Sequence, residues 1–309
     1  MVHVVRLLLI SFFCAALFFL IIAFIGQKKN STSKFYIISP LVEPISEYVK
    51  GIANSLSGKL KQTVVSSLDG THGTYSVVIK NLKTGESYSQ NESTKYDSAS
   101  LYKLWVMGTV YEQLDAGKLE KDDVLSSSIE DLNEKFQIAT EEAELTEGEV
   151  EMSVNEALSQ MITISHNYAA LLLSSKVRLS NVKNLIYLHG LSSSSVGTVG
   201  YPTTTAKDTA RFYEELYKKR VVSEKASDEM LTLLKKQKLN DRIPKYLPDN
   251  IEIAHKTGEL GEYKHDGGIV FSQKGDYIIV VMSKSNNPQA AAERIALLSK
   301  DVYEYFEKE

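Results

Sequence analysis

The sequence has very little cysteine, and its histidines lack the spacing of metal ligands. Among 309 residues there is one cysteine, so neither an intramolecular disulfide nor a cysteine-based zinc site can form. The six histidines show no HExxH or HxH pattern, and we expect neither a metal nor another cofactor. Nor is there an excess of basic residues, because 35 lysines and arginines face 39 acidic residues and leave a net charge of −4. This balance argues against nucleic acid as a partner.

A single long apolar run stands near the N-terminus. Residues 7–26 read LLLISFFCAALFFLIIAFIG, without charge and long enough to cross a hydrocarbon layer of ~30 Å. A cleaved signal peptide has a shorter apolar region and a small-residue cleavage site, which this run lacks. We predict an uncleaved signal anchor over residues 1–29 and a spacer over residues 30–56, with signal-peptide cleavage as the alternative. The remaining part, residues 57–309, is then a catalytic domain outside the cytoplasm, held at the cell membrane by one span.

The pattern of residues 57–309 predicts an α+β fold. The whole chain is 43% hydrophobic and 24% charged, which is typical of a globular protein with a sizeable core. Strand-like segments stand at both ends of the domain and helical periodicity lies between them, so we expect one antiparallel sheet of N- and C-terminal strands with flanking helices and a helical insertion. The predicted helices cover residues 60–68, 101–114, 205–219 and 288–306, and residues 154–173 are predicted to be a long helical or helix-turn-helix stretch. The predicted strands cover 75–79, 86–89, 251–255, 267–272 and 277–283, and the acidic stretch 130–151 is predicted to be irregular.

A serine and a lysine stand three residues apart at the start of the predicted helix 101–114. Ser100 and Lys103 fall on one helix face about one turn apart. Serine is a weak nucleophile until a neighbouring base activates it. A buried lysine can lose its proton easily enough to act as that base. The free amides at a helix N-terminus also stabilise a developing oxyanion.

The spacing alone is weak, because short motifs of this kind recur in the chain. The SxxK pattern begins at Ser31, Ser100 and Ser180, and Lys-Thr-Gly begins at Lys83 and Lys256. Ser31 lies in the spacer, Ser180 in a short polar stretch, and Lys83 in a predicted hairpin turn. Ser100 opens a long apolar-faced helix, and Lys256 lies between two β-rich segments. Context therefore favours Ser100 and Lys256.

A third element, Ser165-His166-Asn167, lies between these two motifs in a helical region. The ordered trio SxxK, SxN and KTG resembles the signature of class A β-lactamases and penicillin-binding proteins. Longer segments are similar as well, namely residues 99–104, 114–119, 161–167 and 254–260. The resemblance covers the chain from about Tyr75 to its C-terminus.

The resemblance implies a role for each motif residue in catalysis. Ser100 is expected to be the acylated nucleophile, and Lys103 its proton acceptor or the centre of the proton network. Ser165 is expected to relay a proton to the leaving nitrogen, and Lys256 to tune Ser165. The backbone amides of Ser100 and Glu259 are expected to form the oxyanion hole.

The resemblance also implies how a substrate binds. Asn167 is expected to hold the amide of the substrate side chain, while Lys256 and Thr257 bind its carboxylate. Gly258 is expected to let the strand approach the substrate closely, since a side chain there would collide with it. The implied ligands are small-molecule β-lactams or the peptidoglycan stem peptide, bound by a monomer.

Three features depart from the family pattern. His166 stands where many members have aspartate, and Glu259 is larger and more acidic than the usual residue. Class A enzymes also carry a loop glutamate that activates the deacylating water, whereas residues 189–201, HGLSSSSVGTVGY, contain no acidic residue. Three hypotheses follow: a β-lactamase-type hydrolase, a D-alanyl-D-alanine peptidase or penicillin-binding protein that deacylates slowly, and a non-catalytic cell-wall-binding module.

Overall fold

The computed structural model describes residues 58–197 and 200–308. The predicted anchor over residues 1–29 and the spacer over residues 30–56 lie outside them. None of the helices within the described ranges is long and apolar enough to cross a membrane.

The described residues form nine strands and nine α-helices in a mixed order. The strands are β1 Thr74–Asn81, β2 Ser87–Gln90, β3 Tyr96–Asp97, β4 Val124–Ser128, β5 Glu149–Ser153, β6 Thr203–Thr204, β7 Glu252–Leu260, β8 Tyr263–Phe271 and β9 Tyr277–Lys284. The helices are α1 at residues 58–68, α2 Lys103–Asp115, α3 Ile129–Lys135, α4 Val154–Thr163, α5 Asn167–Val177, α6 Leu179–Leu188, α7 Ala206–Tyr217, α8 Glu224–Leu234 and α9 Pro288–Lys308. A 3₁₀ helix, Ala99–Tyr102, leads directly into α2.

A five-stranded antiparallel sheet has the order β2-β1-β9-β8-β7. Strand β1 pairs along its whole length with β9, from Thr74 opposite Lys284 to Asn81 opposite Tyr277. The first and last strands of the domain therefore meet in the sheet, which confirms the predicted α+β architecture. Asn81 also closes the β1–β2 turn, where its Oδ1 accepts the amides of Lys83 and Thr84 at 2.9 Å. The first Lys-Thr-Gly is thus the turn that the sequence predicts.

Side chains on the two faces of the sheet enter two different cores. Successive strand residues point to opposite faces, so Val281 of β9 packs with α1 and α9 while Val280 packs with the other helices. Helix α2 lies in the larger core and is buried on nearly every side. A helix that is apolar all round is typical of the interior of a large domain.

Three expectations about local structure were wrong. The stretch 130–151 is irregular only over residues 136–148, because its start belongs to α3, where Ser128 accepts the amide of Asp131 at 3.0 Å, and its end belongs to β5, which pairs with β4. The strand predicted at residues 251–255 continues to Leu260, because β8 pairs with it over that whole length. Ser180 lies in the ten-residue helix α6 rather than in a short polar stretch. By contrast, the stretch 154–173, predicted as helical or helix-turn-helix, has the second form, with α4 and α5 separated by a turn.

Candidate active site

The segment that carries Ser100, the predicted nucleophile, is held between two neighbouring chain segments. Ser98 donates its backbone amide to the carbonyl of Pro202 at 2.7 Å. Ala99, the residue before Ser100, has a φ of +45°, which an L side chain rarely adopts and which costs of order 1–3 kcal/mol. Ser100 is half-buried at the start of the 3₁₀ helix and lines an open cleft. Tertiary contacts therefore impose the backbone shape that presents its hydroxyl.

Lys103 is fully buried and has three oxygen partners. Its Nζ lies 2.6 Å from the Ser165 carbonyl, 3.2 Å from Ser165 Oγ and 2.7 Å from Asn167 Oδ1. Burial lowers the pKa of the Lys103 ammonium to about 7, against an opposing effect of the Glu144 carboxylate. A substantial fraction of Lys103 is therefore neutral near pH 7, as a proton acceptor must be. Lys183 in the competing SxxK pattern is exposed and has no such environment.

Ser165 occupies the turn between α4 and α5 in a left-handed backbone conformation, with a φ of +59°. Its Oγ lies 3.2 Å from Lys103 Nζ and 3.0 Å from Lys256 Nζ. His166 next to it is the N-cap of α5, where its Nδ1 accepts the amide of Ala169 at 3.2 Å. His166 thus caps α5 as an aspartate side chain caps other helices. The helix start next to Ser165 is therefore capped despite this departure from the family pattern.

Lys256 and Thr257 are buried neighbours in the middle of β7. Lys256 Nζ donates to Ser165 Oγ at 3.0 Å and to the Thr257 carbonyl at 2.9 Å. Burial, reinforced by the nearby charge of Lys103, holds the pKa of Lys256 well below its ordinary value. Two buried lysines therefore approach the hydroxyl of Ser165 from opposite elements of the fold, α2 and β7.

Gly258 has a second physical reason beside the predicted approach to a substrate, which stays a prediction. A Cβ added there would lie 3.0 Å from the Ser98 carbonyl oxygen, 3.2 Å from Leu101 Cγ and 3.4 Å from Ala99 Cβ. The close approach is thus between β7 and the segment that carries Ser100. The glycine sets the position of the nucleophile relative to the strand.

Glu259 is bound by two cations. Its carboxylate contacts Arg242 Nη2 at 2.7 Å and also pairs with Lys264. Burial pushes the pKa of Glu259 upward, but these cations outweigh it and the pKa lies below its ordinary value. Arg242 is almost completely buried. It comes from the polar segment 238–242, which forms one wall of the cleft and which the sequence reading missed.

The cleft brings together most of the predicted site residues. It has a volume of about 450 Å³ and a mixed polar lining. Its walls include the predicted residues Ser100, Ser165, Asn167, Thr257 and Glu259. Lys103 and Lys256 lie next to the cleft, where their Nζ atoms contact Ser165 Oγ.

Sequence reading also missed Glu144. Its Oε1 accepts a hydrogen bond from Asn167 Nδ2 at 2.5 Å. Glu144 belongs to the segment between α3 and β5, residues 136–148, which contains four glutamates. No sequence signal distinguishes Glu144 from the other three, because only the folded chain places one of them against Asn167.

The loop after α6 supplies hydroxyl groups and no carboxylate. Within its described part, residues 189–197, Ser193 N and Ser194 Oγ bind the buried carboxylate of Asp208 at 2.8 and 2.9 Å. Ser195 pairs with Thr203 through both backbone and side chain. Residues 193–195 of this loop are therefore fixed to β6 and α7. Among the described residues, no group of three histidine, cysteine, aspartate or glutamate side chains is placed to hold a metal ion.

Ser100 lines the same cleft as Ser165, and two buried lysines contact the Ser165 hydroxyl. This is the arrangement of a serine hydrolase that works through an acyl-enzyme. The chain belongs to the family described as "Beta-lactamase enzyme family", which matches residues 59–306. The family resemblance stated from the sequence is thereby confirmed. No curated protein matches the chain.

Solved structures share the fold. A β-lactamase from Sphaerobacter thermophilus DSM 20745 is 23% identical, with a TM-score of 0.71 over 81% of this chain and 97% of that one. PBP-A is 24% identical, with a TM-score of 0.71 over 81% and 96%. A PBP-A variant, solved as an acyl-enzyme complex with penicillin G, is 25% identical, with a TM-score of 0.71 over 83% and 97%.

Proposed function

We propose that this chain cleaves β-lactam or D-alanyl-D-alanine-like amides through an ester on Ser100. The observation that carries the proposal is the position of Ser165 Oγ, within 3.2 Å of Lys103 Nζ and 3.0 Å of Lys256 Nζ. A hydroxyl between two buried lysines can accept a proton from one side and donate its own to the other. Such a relay is what the breaking of an amide bond needs.

In the proposed acylation step, each of the predicted site residues has one role. Neutral Lys103 accepts the proton of Ser100 Oγ as the oxygen bonds to the substrate carbonyl carbon. Ser165 passes a proton to the amide nitrogen as the carbon–nitrogen bond breaks, and Lys103 restores that proton to Ser165. Lys256 and Thr257 hold the substrate carboxylate, and Asn167 holds the amide of its side chain. The amides of Ser100 and Glu259 stabilise the oxyanion.

Deacylation is the slower step in this proposal. Hydrolysis of the ester needs a base beside an incoming water, and residues 189–201 contain no carboxylate. The loss of a positioned base costs about 10²–10⁴ in rate. The fixed, hydroxyl-rich loop therefore also favours the second candidate, a peptidase or penicillin-binding protein that keeps its acyl group for long periods.

Stopped-flow hydrolysis of a chromogenic cephalosporin, together with intact-mass measurement, tests the order of the two rates. We expect a burst of one product per enzyme, an adduct of matching mass, and slow turnover afterwards. The variant Ser100→Ala is the control and should show neither burst nor adduct. Fast turnover without a burst or a detectable adduct would contradict slow deacylation, and the absence of any reaction would favour the non-catalytic module.

We also propose that residues 7–26 anchor the protein in the cell membrane, with a monomeric catalytic domain outside the cytoplasm. The support is the uncharged apolar run, which has the length of a membrane span. The full chain should remain in membranes after carbonate extraction. A chain beginning near Ser57 should be soluble, should elute as a monomer, and should still react with penicillin. Mature protein that begins just after Gly26 would show cleavage instead of anchoring.

A further inference from the structure

The carboxylate of Glu144 accepts one of the two N–H donors of the Asn167 side chain, the group that binds the substrate in the proposed function. Asn167 uses its Oδ1 for Lys103 and its Nδ2 for Glu144. In the proposed function, that same Nδ2 holds the carbonyl of the substrate side-chain amide. A substrate that binds there therefore places the atoms next to its amide beside the Glu144 carboxylate.

Within the described residues, no fully charged cation neutralises the Glu144 carboxylate in the absence of a ligand. Among the described residues no ion pair involves Glu144, and the nearby Lys103 has a pKa of about 7, so much of it is neutral at that pH. The segment 136–148 contains four glutamates and neither lysine nor arginine. This carboxylate repels an anion and can accept a hydrogen bond from a neutral donor, whereas a cation beside it gains an ion pair.

We infer that Glu144 selects substrates whose acyl side chain carries an ammonium group on the carbon next to its amide carbonyl. The inference rests on the proposed function, because it uses the binding role of Asn167. Such a ligand is an aminoacyl-type amide, with its carboxylate near Lys256 and Thr257 and its ammonium near Glu144. The two walls of the cleft then recognise the two opposite charges of one zwitterionic molecule.

Ampicillin and benzylpenicillin are suitable probes because they differ by that ammonium group alone. The measured quantity is the acylation rate of Ser100 with ampicillin divided by that with benzylpenicillin. We expect this ratio to be about 1.5-fold to fivefold higher in the unaltered protein than in the variant Glu144→Gln. The effect is modest because Glu144 is exposed and solvent screens its charge. Glutamine keeps an acceptor for Asn167, so the comparison isolates the charge.

The matched control is Glu147→Gln, which removes a charge from the same segment without a contact to Asn167 and should leave the ratio of the two acylation rates unchanged. The ampicillin preference should also fall as salt rises from 0.01 to about 1 M, because the screening length shrinks from about 30 to 3 Å.

A ratio that is the same in Glu144→Gln and the unaltered protein would overturn the inference while leaving the proposed function intact. A variant that acylates normally but no longer deacylates would also overturn it, by making Glu144 the missing base. Failure of both penicillins to acylate Ser100 would reject the proposed function and this inference together.

Discussion

The contact between Gly258 and the nucleophile segment makes Gly258→Ala a direct test of how the site is positioned. The new Cβ would lie 3.0 Å from the Ser98 carbonyl oxygen and 3.2 Å from Leu101 Cγ, and both distances are shorter than ordinary van der Waals contact. The segment cannot easily retreat, because Ser98 donates to Pro202 and the next carbonyl back, that of Asp97, contacts His265 Nε2 at 2.9 Å. We therefore expect overpacking to cost about 1–3 kcal/mol of folding free energy.

The same displacement should impair catalysis. A shift of about 1 Å in a reacting group can cost ~10² in rate. The Cβ of Gly258→Ala requires the segment that holds Ser100 to move by a few tenths of an ångström. We expect acylation by penicillin to slow about tenfold or more. Urea denaturation and the acylation rate should be measured on the same sample. The control is Gly58→Ala, since a Cβ at that helical position meets nothing within 4 Å. An unchanged midpoint with an unchanged acylation rate in Gly258→Ala would refute the positioning argument.

Three further predictions concern the nucleophile, the base and the cap. Ser100→Ala should abolish labelling by a fluorescent penicillin, whereas Ser180→Ala should label normally; persistent labelling of the first variant would reject the mechanism. Because Lys103 must be neutral and its pKa is about 7, the acylation rate should fall as the pH drops below about 7 and level off above it; a rate independent of pH between 5 and 9 would exclude this base. His166→Ala should lose about 0.5–2 kcal/mol of folding stability through the lost cap of α5 and His166→Asp should recover much of it, and equal denaturation midpoints for these two variants would contradict the capping role.

The sequence was sufficient for the pairing of the first and last strands. Strand periodicity at both ends of the domain identified the strands that pair as β1 and β9, and this depends on local order along the chain, which a sequence shows directly. A helix start does not separate the SxxK pattern at Ser100 from the one at Ser180, because both serines lie at the start of a helix. The burial of Lys103 and the exposure of Lys183 do separate them, and burial depends on tertiary packing.

Other parts of the site depend on contacts between distant segments. Glu144 differs from its neighbouring glutamates only in its distance from Asn167, which is 23 residues further along the chain. Arg242 lies in a polar stretch typical of a surface loop, yet it is almost completely buried beside Glu259. The close approach to Gly258 likewise arises from tertiary packing against Ser98 and Leu101. No local pattern records which segments a fold will bring together.

The hydrogen bonds to Ser165 have a consequence for how the protein is made. Lys103 lies 62 residues before Ser165, and Lys256 lies 91 residues after it. Contacts this far apart form only after the intervening chain has been ordered. Until β7 has joined the sheet, a growing chain has Ser100 and Lys103 but lacks Lys256, so it should be inert towards penicillin. Covalent labelling of Ser100 can therefore report the time course of folding, because it begins only after β7 has been synthesised and packed.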